Sequence, residues 1–132
     1  MKVEKMGENY QVTFAGAKRP LYCIRQVNDT FELEEIAGDR CSVGMGVKKD
    51  MQLQNHTLLL QTGNMLYLSS DGFADQNNKN RKSMGTKILK ETLQNIAMHD
   101  LPTQMRYLEA KLDEHQGEAD QRDDITLLGV RL

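Results

Sequence analysis

Tyr10, Val12 and Phe14 alternate with Gln11, Thr13 and Ala15, the two-residue period of a strand that buries one face. Gly16-Ala17-Lys18-Arg19-Pro20 then reads as a turn, because Pro20 fixes φ and Gly16 tolerates unusual backbone angles. Leu21 to Val27 is a second strand, and Asn28-Asp29 turns it into a third over Thr30 to Ala37. Gly38-Asp39-Arg40 breaks the pattern. A long strand over roughly Gln52 to Gln61 follows, and Thr62-Gly63-Asn64 turns it into another at Met65 to Ser69. After Asp71 the period changes. Ile88, Thr92 and Ile96, with Leu89, Leu93 and Ala97, form a two-row helical stripe. Leu101, Met105, Leu108 and Leu112 form a second, with Asp100 as its cap and Pro102 in its first turn. His115 to Arg122 is polar and reads as a loop, and Ile125 to Leu132 as a final strand. Strands, two helices, then a strand predict a layered α+β domain.

Composition narrows the classes. The 132 residues are enough for one domain with a core of its own. Seventeen Lys and Arg against nineteen Asp and Glu leave a net charge of −2, so no basic field points to a nucleic-acid partner. Apolar runs such as Leu58 to Leu60 are far too short to cross a bilayer, and no membrane partner is expected. The segment MKVEKMGENY lacks the apolar stretch of a secretory signal. Cys23 and Cys41 stand in no CxxC arrangement and read as free, buried thiols of a reducing compartment. The expectation is a cytoplasmic domain.

Two acidic segments stand out from the general surface charge. Ser69-Ser70-Asp71-Gly72-Phe73-Ala74-Asp75 ends an apolar strand, and Arg122-Asp123-Asp124-Ile125-Thr126 opens the last one. A carboxylate at a strand end is held firmly while its head stays in a cleft, and several converging there call for a hard divalent cation. An ordinary Asp-Gly turn and a charged loop explain the same residues, and spacing does not bring Asp71 to Asp123. The glycines of Ser42-Val43-Gly44-Met45-Gly46-Val47 read as a sheet-edge turn, since no Lys-Ser/Thr and no helix follow them. His56, His99 and His115 share no ligand spacing and read as surface or cap residues. Lys79-Asn80-Arg81-Lys82 reads as a solvated loop, with a role in greeting a phosphorylated protein as the other option.

Four separated segments, in order, resemble the metal-dependent serine/threonine protein phosphatases of the PPM (type 2C) superfamily, in the bacterial SpoIIE/RsbU-like branch. They are Phe14 to Tyr22, Ser42 to Met45, Thr62 to Gly72 with Asn64 in place of the usual Asp, and Arg122 to Leu128. The resemblance covers about residues 9 to 132 and implies an α-β-β-α sandwich, antiparallel sheets flanked by helices. It implies hydrolysis of phosphoserine or phosphothreonine by water activated by two Mn²⁺ or Mg²⁺ ions, with no protein nucleophile. Carried over by position, Asp71 and Asp123 would be metal ligands, Asp124 a weaker one, Asp75 a ligand to a loosely held additional ion, and Gly72 a structural turn. The branch also implies a phosphorylated substrate such as an anti-sigma factor antagonist, a preceding sensory or response-regulator domain, and a regulatory role for His99 to Leu112.

One departure matters. These phosphatases carry a further Asp-Gly motif, usually followed by His-Gly, on strands before the matched region, and Met1 to Glu8 holds neither. The matched part is expected to be the C-terminal half to two-thirds of such a domain. The alternative class is therefore a non-catalytic module derived from a phosphatase, binding a partner or forming a homodimer through an uncovered sheet.

Overall fold

The computed structural model describes residues 1–28, 30–42 and 53–132. The element order is β1 (Lys2–Met6), β2 (Asn9–Phe14), β3 (Leu21–Val27), β4 (Thr30–Ile36), β5 (His56–Gln61), β6 (Met65–Ser69), α1 (Gly72–Asp75), α2 (Thr86–Ile96), α3 (Leu101–Gln116) and β7 (Leu127–Arg131). The strands make a three-stranded sheet in the order β1-β2-β5 and a four-stranded sheet in the order β4-β3-β6-β7. Every pairing is antiparallel.

The strand period decides what each face touches. On β3, Leu21 and Cys23 point into the layer between the sheets, where they meet Val12, Phe14, Leu58, Leu60 and Leu66. The intervening Tyr22 and Ile24 point the other way and pack, with Met65 and Tyr67, against Leu89, Leu93 and Ile96 of α2 and Leu108 of α3. Strands β3 and β6 are buried on both faces, which is why they read as nearly continuous apolar runs. The α+β class with antiparallel sheets and flanking helices agrees with the reading from sequence. Among the described residues the layers run three-stranded sheet, four-stranded sheet, helices. No helix there is long and apolar enough to cross a membrane.

Several boundaries differ from expectation, each for a local reason. β1 carries no apolar alternation because its residues are largely exposed and held by pairing with β2. β5 starts at His56 rather than near Gln52; the Gln54 N–H is taken by the Asp39 carboxylate at 2.7 Å instead of a sheet ladder. Gln52 itself, Val43 to Val47 of the glycine-spaced segment, and Asp29 of the hairpin turn lie outside the described residues. Gly72 opens the short helix α1 where a plain turn was expected. α3 continues through His115 and Gln116, expected in a loop, and stops at Gly117, whose φ of 55° suits a residue without a side chain. β7 starts at Leu127, not Ile125, because the backbone of Thr126 bonds to Ser70. Asp100 caps α3 as expected, accepting the Thr103 N–H at 2.8 Å. Both cysteines are free and buried.

Candidate metal centre

β6 and β7 run antiparallel, so the end of one lies beside the start of the other, with Ser69 opposite Leu127. Ser70 extends that contact past the strands. Its N–H donates to the Thr126 carbonyl at 2.9 Å, its hydroxyl donates to the Asp124 carbonyl at 2.9 Å, and the same hydroxyl accepts the Thr126 N–H at 3.0 Å. Gly72 closes on the same stretch: a Cβ there would run into the carbonyl group of Asp124. Both chain neighbours of Asp71 therefore touch Asp124. The two acidic segments, far apart in sequence, adjoin at one end of the four-stranded sheet.

The carboxylates differ in their surroundings. Asp71 is half-buried and receives the guanidinium of Arg19, from the turn between β2 and β3. Asp123 and Asp124 are exposed, and Oδ1 of Asp123 accepts the Asp124 N–H at 2.7 Å. Asp75 lies one helical turn past Asp71, exposed, its N–H donating to the Asp71 carbonyl at 2.9 Å. Among the described residues no three His, Cys, Asp or Glu side chains gather closely enough to hold an ion by themselves. Hard oxygen donors open to solvent fit a Mg²⁺ or Mn²⁺ ion that keeps several of its waters, and Arg19 already places a positive charge on Asp71. The donors of Asp71 and the Asp123-Asp124 segment fit part of such a site and are too few for a whole one.

Three residues that sequence reasoning missed build this end of the molecule. Ser70 is the clip between the tips. Gln76 is fully buried; its side-chain amide donates to the Asn77 and Asp120 carbonyls at 2.9 and 3.0 Å, and its Oε1 accepts the Arg122 N–H at 3.2 Å. It thus anchors the loop that delivers Asp123. A buried amide in a polar run leaves no periodic signal, so only the fold exposes it. Arg19 is the third, and its turn is tightly made. Lys18 donates its N–H to the Asp39 carbonyl and Asp39 its own to the Gly16 carbonyl, each at 2.7 Å. The Arg19–Asp71 pair joins two side chains that are 47 % and 41 % exposed. Pairs so exposed contribute about 0.2–1 kcal/mol.

The histidines stay outside this arrangement. His56 tilts against Phe14, His99 stacks on Tyr107, and Nε2 of His115 lies 3.1 Å from the carbonyl oxygens of Gln76 and Lys82, tying α3 to the loop after α1. Deeper under α3, the Tyr67 hydroxyl donates to Gln104 at 2.8 Å, and burial pushes its pKa up to about 12.

Two face-to-face antiparallel sheets, helices against one of them and acidic strand tips brought together at its end define a PPM-type phosphatase architecture. A sequence model of the family described as Stage II sporulation protein E (SpoIIE) matches residues 7–132, so the chain belongs to the SpoIIE family of phosphatase domains. The SiaA-PP2C domain of Pseudomonas aeruginosa superposes with a TM-score of 0.79 at 35 % identity, over 95 % of this chain and 47 % of that one. The phosphatase domain of the cell fate determinant SpoIIE from Bacillus subtilis, a Mn-presoaked structure, gives 0.56 at 15 % identity, over 94 % and 50 %, and supports the fold alone. The chain thus spans about half the length of these solved structures. No curated protein matches it.

Proposed function

We propose that this chain supplies part of the metal site of a phosphoserine/phosphothreonine protein phosphatase in bacterial signalling. Asp71 and Asp123 are the metal-holding carboxylates, Asp124 a weaker one, and Asp75 a ligand to a further, loosely bound ion. The observation that carries the reading is the contact of Ser70 and Gly72, the two neighbours of Asp71, with Asp124. When bound, Mn²⁺ or Mg²⁺ supplies Lewis acidity, an activated water and a clamp on the phosphate. The chain's own residues do the positioning. Ser70 fixes the spacing of the tips, Gly72 permits their close approach, and Gln76 holds the loop before Asp123. The remaining ligands belong to the half of the domain that the matched structures have beyond this chain's span.

The test is turnover of p-nitrophenyl phosphate and of a phosphoserine protein with Mn²⁺, for this chain and for a longer product of its gene. Turnover in the longer product that is lost in its Asp71→Ala and Asp123→Ala variants supports the reading. A longer product without turnover favours a second one, a partner-binding or self-associating module. The observation behind that alternative is an apolar groove of about 440 Å³ between α3 and β7, lined by Met105, Leu108, Leu112 and Leu127 among others. A cytoplasmic setting, an anti-sigma factor antagonist as substrate, a preceding sensory or response-regulator domain and homodimerisation belong to the same proposal, supported by the family resemblance.

A further inference from the structure

We infer that Arg19 is the phosphoryl-recognition side chain of this site, resting on Asp71 until a divalent cation takes that carboxylate. The inference rests on the phosphatase reading above and deepens it.

Arg19 reaches Asp71 from a turn remote in sequence from either acidic segment. That turn is built closely. A Cβ on Gly16 or on Gly38 would meet the carbonyl oxygen of Arg19, so glycine at both positions lets the two stretches of chain pass in contact. Lys18 adopts a φ of 62°, a region that side-chain-bearing residues rarely enter. Two backbone hydrogen bonds to and from Asp39 lock the arrangement, and the Asp39 carboxylate is itself held by the Gln54 N–H. A half-exposed ion pair returns little stability for such a construction. What the construction achieves is aim. It sets a guanidinium on the carboxylate whose two neighbours both touch Asp124.

A guanidinium and a divalent cation compete for the same carboxylate oxygens, because one carboxylate cannot serve both fully. Once the divalent ion occupies Asp71, Arg19 loses its partner without leaving the site, since the backbone of its turn stays fixed. Its planar fork of donors then matches a pair of phosphoryl oxygens, a geometry that a lysine ammonium does not reproduce. The ligand class is a phosphate monoester, and the cation that displaces Arg19 is the one that prepares the site for it. No bond is made or broken in this step; one ion pair is exchanged for another.

The experiment uses the whole ¹⁵N-labelled chain, its Arg19→Gln variant and its Arg19→Lys variant. Mn²⁺ is titrated first, reading the paramagnetic broadening of the Asp71, Gly72 and Asp124 amides. Inorganic phosphate is then titrated with Mg²⁺ present and absent, reading the Gly16 to Leu21 amides. In Arg19→Gln, Mn²⁺ broadens those amides at a concentration lower by about threefold, and phosphate affinity with Mg²⁺ falls by about tenfold, with Arg19→Lys between the two. The parent chain binds phosphate more tightly with Mg²⁺ than without. If Mn²⁺ broadens the tips but Arg19→Gln changes neither titration, or weakens Mn²⁺ binding, the inference is overturned and the phosphatase reading survives. Absence of broadening at Asp71 and Asp124 in all three chains overturns the inference, and turnover by the longer product then decides the phosphatase reading separately.

Discussion

The two outer strands of the four-stranded sheet meet their surroundings in opposite ways. β4 alternates Glu32 and Glu34 with Phe31 and Leu33, and its inner residues pack under α2. Lys90 reaches from α2 to Glu35 at 3.0 Å, Arg25 pairs with Glu34 at 2.9 Å, and the Gln94 amide donates to the Phe31 carbonyl. Charge and a covering helix are how sheets protect an edge from further pairing. β7 has neither to the same degree. Leu128 is 51 % exposed, and Leu101 and Met105 of α3, at 40 % and 57 %, face solvent nearby. The unprotected edge is also the one whose start carries the acidic segment. Among the described residues the sheet is protected on the side away from the candidate site and less so beside it.

The largest expected effect falls on the covered side. Leu93 is fully buried among the helix-facing residues, and Leu93→Ala should cost about 2–5 kcal/mol in urea unfolding, mostly through the cavity it leaves. Next comes the contact between the tips. Gly72→Ala places a methyl against the Asp124 carbonyl and should destabilise by about 1–3 kcal/mol. The same change should shift the Asp124 and Thr126 amide resonances; unchanged resonances would mean that the tips do not touch. Tyr67→Phe, between the two edges, leaves the 2 %-exposed Gln104 short of a donor and should cost about 1–3 kcal/mol. Its pH behaviour follows from the sign of the shift. The folded pKa, about 12, lies above the ordinary value of 10.0, so the stabilisation is complete below pH 10. It fades as pH rises through 12, and Tyr67→Phe removes that alkaline loss. Smallest of all is Leu128→Lys. It should move stability by less than about 0.5 kcal/mol while reducing concentration-dependent association measured by sedimentation.

Legibility in sequence tracked the reach of the signal. The continuous apolar runs of β3 and β6 and the periodic stripes of α2 and α3 are local signals, so these elements could be read before any coordinate. So could Asp71 and Asp123 as strand-tip acids. That their segments adjoin could not, because it depends on Ser70 bonding to Thr126 and on Gly72 passing Asp124, contacts between residues that share no pattern. Gln76 and Arg19 escaped for the same reason: each acts through partners distant in sequence and looks, in its own neighbourhood, like any polar loop residue. β1 escaped because pairing with β2, rather than burial, holds it in place.

The central claim is that Asp71 and the Asp123-Asp124 segment hold a common divalent ion. Anomalous scattering from Mn²⁺-soaked crystals tests it without recourse to turnover. The account predicts a manganese peak bridging the Asp71 carboxylate and the Asp123 or Asp124 carboxylate, with the Arg19 guanidinium displaced from Asp71. A peak elsewhere on the surface, or Mn²⁺ absent from this end of the sheet while Arg19 keeps its hold, would contradict it.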